Sequence, residues 1–104
     1  MARKIKRGDT RPGALITCKD GTQTVDLTLA SSLRLLGRLG GASVIDRAVT
    51  GNAVGQVLIE TWEPSDTANV GLLELEVEAT WADGSTQTFP GGSYLEVEIV
   101  QDLG

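Results

Sequence analysis

Residues 71–81 read Gly-Leu-Leu-Glu-Leu-Glu-Val-Glu-Ala-Thr-Trp. In an extended chain Leu73, Leu75, Val77, Ala79 and Trp81 fall on one side, and Glu74, Glu76, Glu78 and Thr80 on the other. A helical period would mix the two sets, so the pattern specifies a half-buried antiparallel strand. An Asp83-Gly84 turn, a short strand over Thr86–Phe89, a Pro90-Gly91-Gly92 corner and a last strand from Tyr94 to Val100 follow from the same reasoning. The span 60–99 therefore sets an all-β class and contains no evident reaction centre.

The remaining sequence continues in this style. Ala14 to Lys19 reads as a first strand ending at Asp20-Gly21, a type I′ hairpin signal. Val25, Leu27 and Leu29 alternate with Asp26 and Thr28 as the return strand. Ser31 to Leu39 could place its leucines on one face of a short helix. A strand bending at Gly37 is the better reading, because a lone short helix is marginal in water. Gly40-Gly41 ends it. Further strands are expected around Val44, Ile45 and Val49, over Ala53–Trp62, and over Asn69–Trp81. Turn signals at this spacing point to an antiparallel Ig-like β-sandwich of about seven or eight strands. Trp62 and Trp81 are expected to cap the two ends of its core.

Residues 1–12 differ in composition. Arg3, Lys4, Lys6, Arg7 and Arg11 repel one another, and Pro12 opposes a helix. They are expected to form a basic extended arm ahead of one sandwich domain over residues 13–104. Its anchoring segment, Ala2 to Arg11, is expected to be dispensable for folding. All 9 basic residues lie within the first 47 positions, with 4 acidic ones; the other 10 acidic residues follow Arg47. Such polarity is either solvated surface or self-complementarity, with the basic arm of one copy on the acidic face of another. The row Glu74, Glu76, Glu78 is the receiving face. Glu96 and Glu98 lie on a strand close to it in sequence, and pairing of the two strands would set like charges opposite each other.

Composition removes much chemistry. The chain has no histidine and a single cysteine, Cys18. Ser-His-Asp and Cys-His catalysis, the usual Cys/His zinc sites and an intramolecular disulfide are therefore not available. No phosphate-loop pattern surrounds the glycine pairs. Strand-face glutamates are read as solvated carboxylates, and Cys18 as a core thiol beside Ile16. Asp66, Asn69 and Asp83 have turn chemistry rather than calcium-loop spacing. These readings imply no enzyme, no cofactor and no metal. A net charge of −5 and an arm without interleaved aromatics argue against nucleic acid and for a protein partner. No apolar run is long enough for a secretory or membrane segment, so synthesis in the cytoplasm is expected. A carbohydrate- or ligand-binding module using Trp62, Trp81 or Tyr94 is the alternative.

Several short motifs occur in a distinctive order. Gly8-Asp9-Thr10-x-Pro12 is followed by Asp20-Gly21, Val25-Asp26-Leu27-Thr28, Gly55-x-Val57, Trp62, Asp66-Thr67, Gly71-Leu72-Leu73 and Glu76-Val77. Asp83-Gly84-x-x-x-Thr88-Phe89-Pro90 completes the series. This order resembles the N-terminal domain of the upper baseplate proteins of tailed bacteriophages, over roughly residues 8–100. The resemblance implies an Ig-like sandwich that attaches a receptor-binding or fibre component to the virion. In that family the domain begins a longer protein, whereas this sequence runs to Gly104. The expectation is therefore a compact virion accessory made in the host cytoplasm. It would be a homo- or hetero-oligomeric tail, baseplate, head–tail or capsid-surface subunit whose partners are other virion structural proteins.

Overall fold

The computed structural model describes residues 3–91 and 95–103. The ends of the expected arm and of the chain (Met1, Ala2, Gly104), and Gly92 and Tyr94 of the last corner and strand, lie outside the described residues. The protein is all-β and sandwich-like, with principal extents of 48 × 22 × 22 Å. No described helix is long and apolar enough to cross a membrane.

One layer is a large sheet. Its strands are β1 (Arg3–Lys6), β5 (Ala30–Leu39), β6 (Ala42–Ala48), β8 (Gly71–Trp81), β9 (Thr86–Phe89) and β10 (Leu95–Val100). The lateral order is β1-β10-β8-β5-β6, with β9 also against β8. β8 is the axis. On one side it pairs with β5 from Leu39↔Leu73 to Ala30↔Trp81. On the other its edge is divided: β10 pairs as far as Leu75, and β9 takes over at Val77. The inward face of β8, Leu73, Leu75, Val77 and Ala79, is at most 1% exposed.

The second layer is thin. β2 (Ala14–Thr17) and β7 (Gln56–Ile59) form a two-stranded ribbon, and β3 (Lys19–Asp20) and β4 (Gln23–Thr24) a small hairpin. Ile16, Cys18, Leu27, Val57, Ile59 and Trp62 bury their side chains from this layer. Short polar ties fix the loops that complete it. Trp62 donates from N and Nε1 to the Thr10 and Pro12 carbonyls at 2.9 and 3.0 Å. Thr67 donates to the Asp9 carbonyl at 2.8 Å and accepts from the Gly8 N–H at 2.9 Å.

The strand reading of Ser31–Leu39 holds, and the register shift in the β5–β6 pair falls between Gly37 and Arg38. Gly40 and Gly41 both have positive φ (59° and 85°), so this pair, joining Leu39 to Ala42, makes the type I′ turn. The first hairpin differs from expectation. Asp20 pairs with Gln23, so its central residues are Gly21-Thr22. Only Gly21 has positive φ (64°), as a type II′ turn requires.

Three other segments depart from the sequence reading. Val25 to Leu29 is not a strand: Asp26 accepts from the Thr28 N–H at 2.9 Å and caps a 3₁₀ turn over Leu27–Leu29. Leu27 is buried, but Leu29 points to solvent. Local Asp-to-backbone bonding has overridden the apparent alternation. The expected strand over Ala53–Trp62 shrinks to Gln56–Ile59. Asn52 accepts from the Val54 and Gln56 N–H groups and turns the preceding chain.

The third is the N-terminal segment. It is extended, but it is not a separate arm. Arg3–Lys6 is β1, running parallel to β10 with Ile5 opposite Ile99. Ile5 is 4% exposed and belongs to the core. Apolar burial of one side chain and the β10 edge together outweigh the repulsion of its cations. This segment is thus structural. Ile5→Ala should cost about 2–4 kcal/mol in urea unfolding, whereas Lys4→Ala should stay within about 0.5 kcal/mol of the parent. Equal, negligible effects would mean that the segment is free.

Candidate functional site

The two-residue period that buries one face of β8 necessarily presents the other. Across the outer face of the large sheet, β1 contributes Lys4 and Lys6, β10 Glu96 and Glu98, β8 Glu74, Glu76 and Glu78, and β5 Arg34 and Leu36. The charges run positive, negative, negative, positive from β1 through β10 and β8 to β5.

Pairing within this face is partial. Lys4 Nζ lies 3.9 Å from Glu98, and Arg38 Nη2 lies 3.9 Å from Glu74. These are long, exposed contacts, each worth about 0–1 kcal/mol. The anticipated like-charge opposition is present, since Glu96 is registered against Glu74. Arg34 is registered against Glu78. Its guanidinium turns instead to Asp46 on β6, at 2.6 Å. Glu76 stands opposite Leu36 on one side. On its other side the described β10 ladder reaches Leu75 and the β9 ladder starts at Val77. Glu76, Glu78 and Glu96 consequently have no ion pair among the described residues. Beside them, the β5–β6 irregularity leaves a hollow of about 220 Å³ lined by Leu36, Gly37, Arg38, Ser43, Ile45, Glu74 and Glu76. That is below the usual size of a small-molecule site.

The remaining basic candidates make their contacts outside this array, although Arg3 borders a hollow that Glu96 also lines. Arg3 donates to the Gly13 carbonyl at 2.9 Å, and Arg7 pairs with Asp102 at 2.9 Å. Arg11 is exposed in the loop after β1. The structure therefore brings Lys4 and Lys6 onto the same face as the glutamates and sends Arg3, Arg7 and Arg11 elsewhere. Among the aromatic candidates, Trp62 is 3% exposed and offers no ring face to a ligand. Trp81 is half-buried against the core, and Tyr94 is outside the described residues.

One interaction has no counterpart in the sequence reading. Arg47 faces inward from β6 and makes a bidentate pair with Asp66, at 3.0 and 2.8 Å. The Asp66 side chain is 1% exposed and also accepts the Glu63 N–H at 2.9 Å, closing the 3₁₀ turn Pro64–Thr67. Hydrogen bonding to Asp66 holds the Arg47 pKa above its ordinary value; burial opposes this, and the Asp66 and Glu63 charges reinforce it. Asp66 thus belongs to a latch between the layers rather than to a calcium loop. The Glu-Pro-Ser-Asp spacing could have signalled the turn, but nothing local signals Arg47. Asp83 is a turn carboxylate: bonds from the Ser85 hydroxyl and N–H lower its pKa. Among the described residues no group of three or more His, Cys, Asp or Glu is placed to hold a metal ion.

Cys18 is fully buried, as a core thiol should be, and burial pushes its pKa from 9.0 to about 11. With this geometry in hand, comparison with known proteins adds no relative: no family model, curated protein or solved structure matches the chain.

Two outcomes follow. Asp66→Ala removes the bidentate partner of Arg47, leaving its 3.6 Å contact with Glu63, and should cost about 1.5–3 kcal/mol in denaturant unfolding. For Cys18 the folded pKa exceeds the unfolded one, so its contribution is complete below pH 9 and is lost as pH rises toward 11. Stability should fall by about 2–3 kcal/mol over that window. Cys18→Ala should remove that part of the slope, and parallel pH–stability curves for the two proteins would contradict the assignment.

Proposed function

We propose that this protein is a non-enzymatic structural subunit of a tailed-phage or phage-derived particle. It would act as a small adaptor or accessory in the tail or baseplate, at the head–tail junction or on the capsid surface. The observation that carries this reading is the outer face of the large sheet, where Glu76, Glu78 and Glu96 lack ion pairs among the described residues. They are held on adjacent paired strands and not on mobile loops.

An anionic array of this kind repels phosphate backbones and favours a basic segment of a neighbouring virion protein. Apposition of a cationic partner would relieve the Glu74–Glu96 opposition, so docking and relief of strain in the sheet reinforce each other. The resemblance of its turn-motif order to that of the upper baseplate family points to the same placement. Because β1 is engaged in its own sheet, the docking role falls on the sheet face and not on a free basic arm.

The test is Glu76→Lys, Glu78→Lys and Glu96→Lys combined, introduced into the phage or prophage that encodes the protein. Unfolding free energy should stay within about 0.5 kcal/mol of the parent or rise. Incorporation into purified particles, measured by mass spectrometry, should be lost. Normal incorporation of the folded triple variant would overturn the docking role of this face.

A further inference from the structure

The second layer carries a different surface. Ala14-Leu15-Ile16 on β2 and Val57-Leu58-Ile59 on β7 are continuous apolar runs, the composition of strands covered on both faces. Here only one face is covered. Ile16, Val57 and Ile59 point into the core, while Leu15 and Leu58 are 51% and 61% exposed. The register sets these two leucines directly opposite each other, so they form one apolar ridge along the middle of the ribbon. β8, by contrast, puts polar groups outward along most of its length, at Glu74, Glu76, Glu78 and Thr80, with Leu72 near its start as its exposed leucine.

One end of this ridge bears two charges of opposite sign. Arg3 is held at the head of β2 by its bond to the Gly13 carbonyl, and Glu60 continues directly from β7. Both border the same shallow hollow as Leu15 and Leu58. Gly13 is what lets the two strands close together there: a Cβ at this position would overlap the Ile59 carbonyl oxygen. Neither Arg3 nor Glu60 has an ion pair among the described residues.

We infer that this face binds a second copy of the chain across a twofold axis running along the ribbon between β2 and β7. Rotation about that axis exchanges the β2 and β7 sides without exchanging the ends. Leu15 then meets the partner's Leu58, and Leu58 the partner's Leu15. Arg3 meets the partner's Glu60, and Glu60 the partner's Arg3. The arrangement is isologous, each contact occurring twice. A single second copy satisfies both the apolar ridge and the two charges at its end. The ribbon is small, so the dimer is weak and concentration-dependent. This inference is independent of the proposed virion role, which rests on the opposite face.

The experiment is sedimentation velocity on the full chain from micromolar to millimolar concentration. The parent should pass from monomer to dimer. Leu58→Asp, an exposed position, should stay monomeric throughout with an unchanged thermal midpoint. Arg3→Glu alone and Glu60→Arg alone should each weaken association on the order of tenfold. Arg3→Glu combined with Glu60→Arg should restore it, because both reciprocal pairs are re-formed with reversed sign. A monomeric parent at every concentration, undiminished association of Leu58→Asp, or failure of the double reversal to recover would each overturn the proposal.

Discussion

The rest of the structure depends on β8 having one register. Its inward residues are packed without solvent access, and its two edges are occupied by three strands. A slip of one residue would drive Glu74, Glu76 and Glu78 into the core and turn four apolar side chains to water. That cost is far larger than the few tenths of a kcal/mol involved in any like-charge opposition on the outside. The core therefore dictates the external face. The glutamates stand where they do because their neighbours in sequence are buried, and the β10 register then sets Glu96 beside Glu74.

The two layers are held by different means. The large sheet is a continuous hydrogen-bonded ladder across five strand positions. The opposing layer has only short ladders, and its loops are fixed by individual side chains: Trp62 to the Pro12 carbonyl, Thr67 to that of Asp9, Asp66 to Arg47. Arg47 carries the ionic connection that crosses between the layers among the described residues, bidentate to Asp66 and at 3.6 Å to Glu63. An inward-pointing arginine near the end of β6 also places a charge on an edge strand, a feature that discourages unintended strand addition.

Strands with a strict two-residue period were legible in the sequence, and β5, β8, β9 and β10 lie close to where alternation and turn residues put them. The acidic row was legible for the same reason. Its basic neighbours were not, because alternation does not say which strands pair, and Arg34 and Arg38 reach the array only through the β5–β8 register. Local competition hid other elements. Asp26 and Asn52 bond to nearby backbone N–H groups and turn the chain where hydrophobicity alone suggested strands. β1 was obscured most. Its only apolar signal is Ile5, set among four cations, and its partner strand is almost a full chain length away.

That separation bears on how the fold closes during synthesis. Ile5 is registered with Ile99, so β1 has no sheet to join until β10 has left the ribosome. For that interval a short extended segment with open backbone groups and an exposed isoleucine is a hazard, able to add to any available strand edge. Arg3, Lys4, Lys6 and Arg7 surround Ile5 with like charge. They act as gatekeepers, keeping the segment hydrated and apart from other nascent chains while it waits.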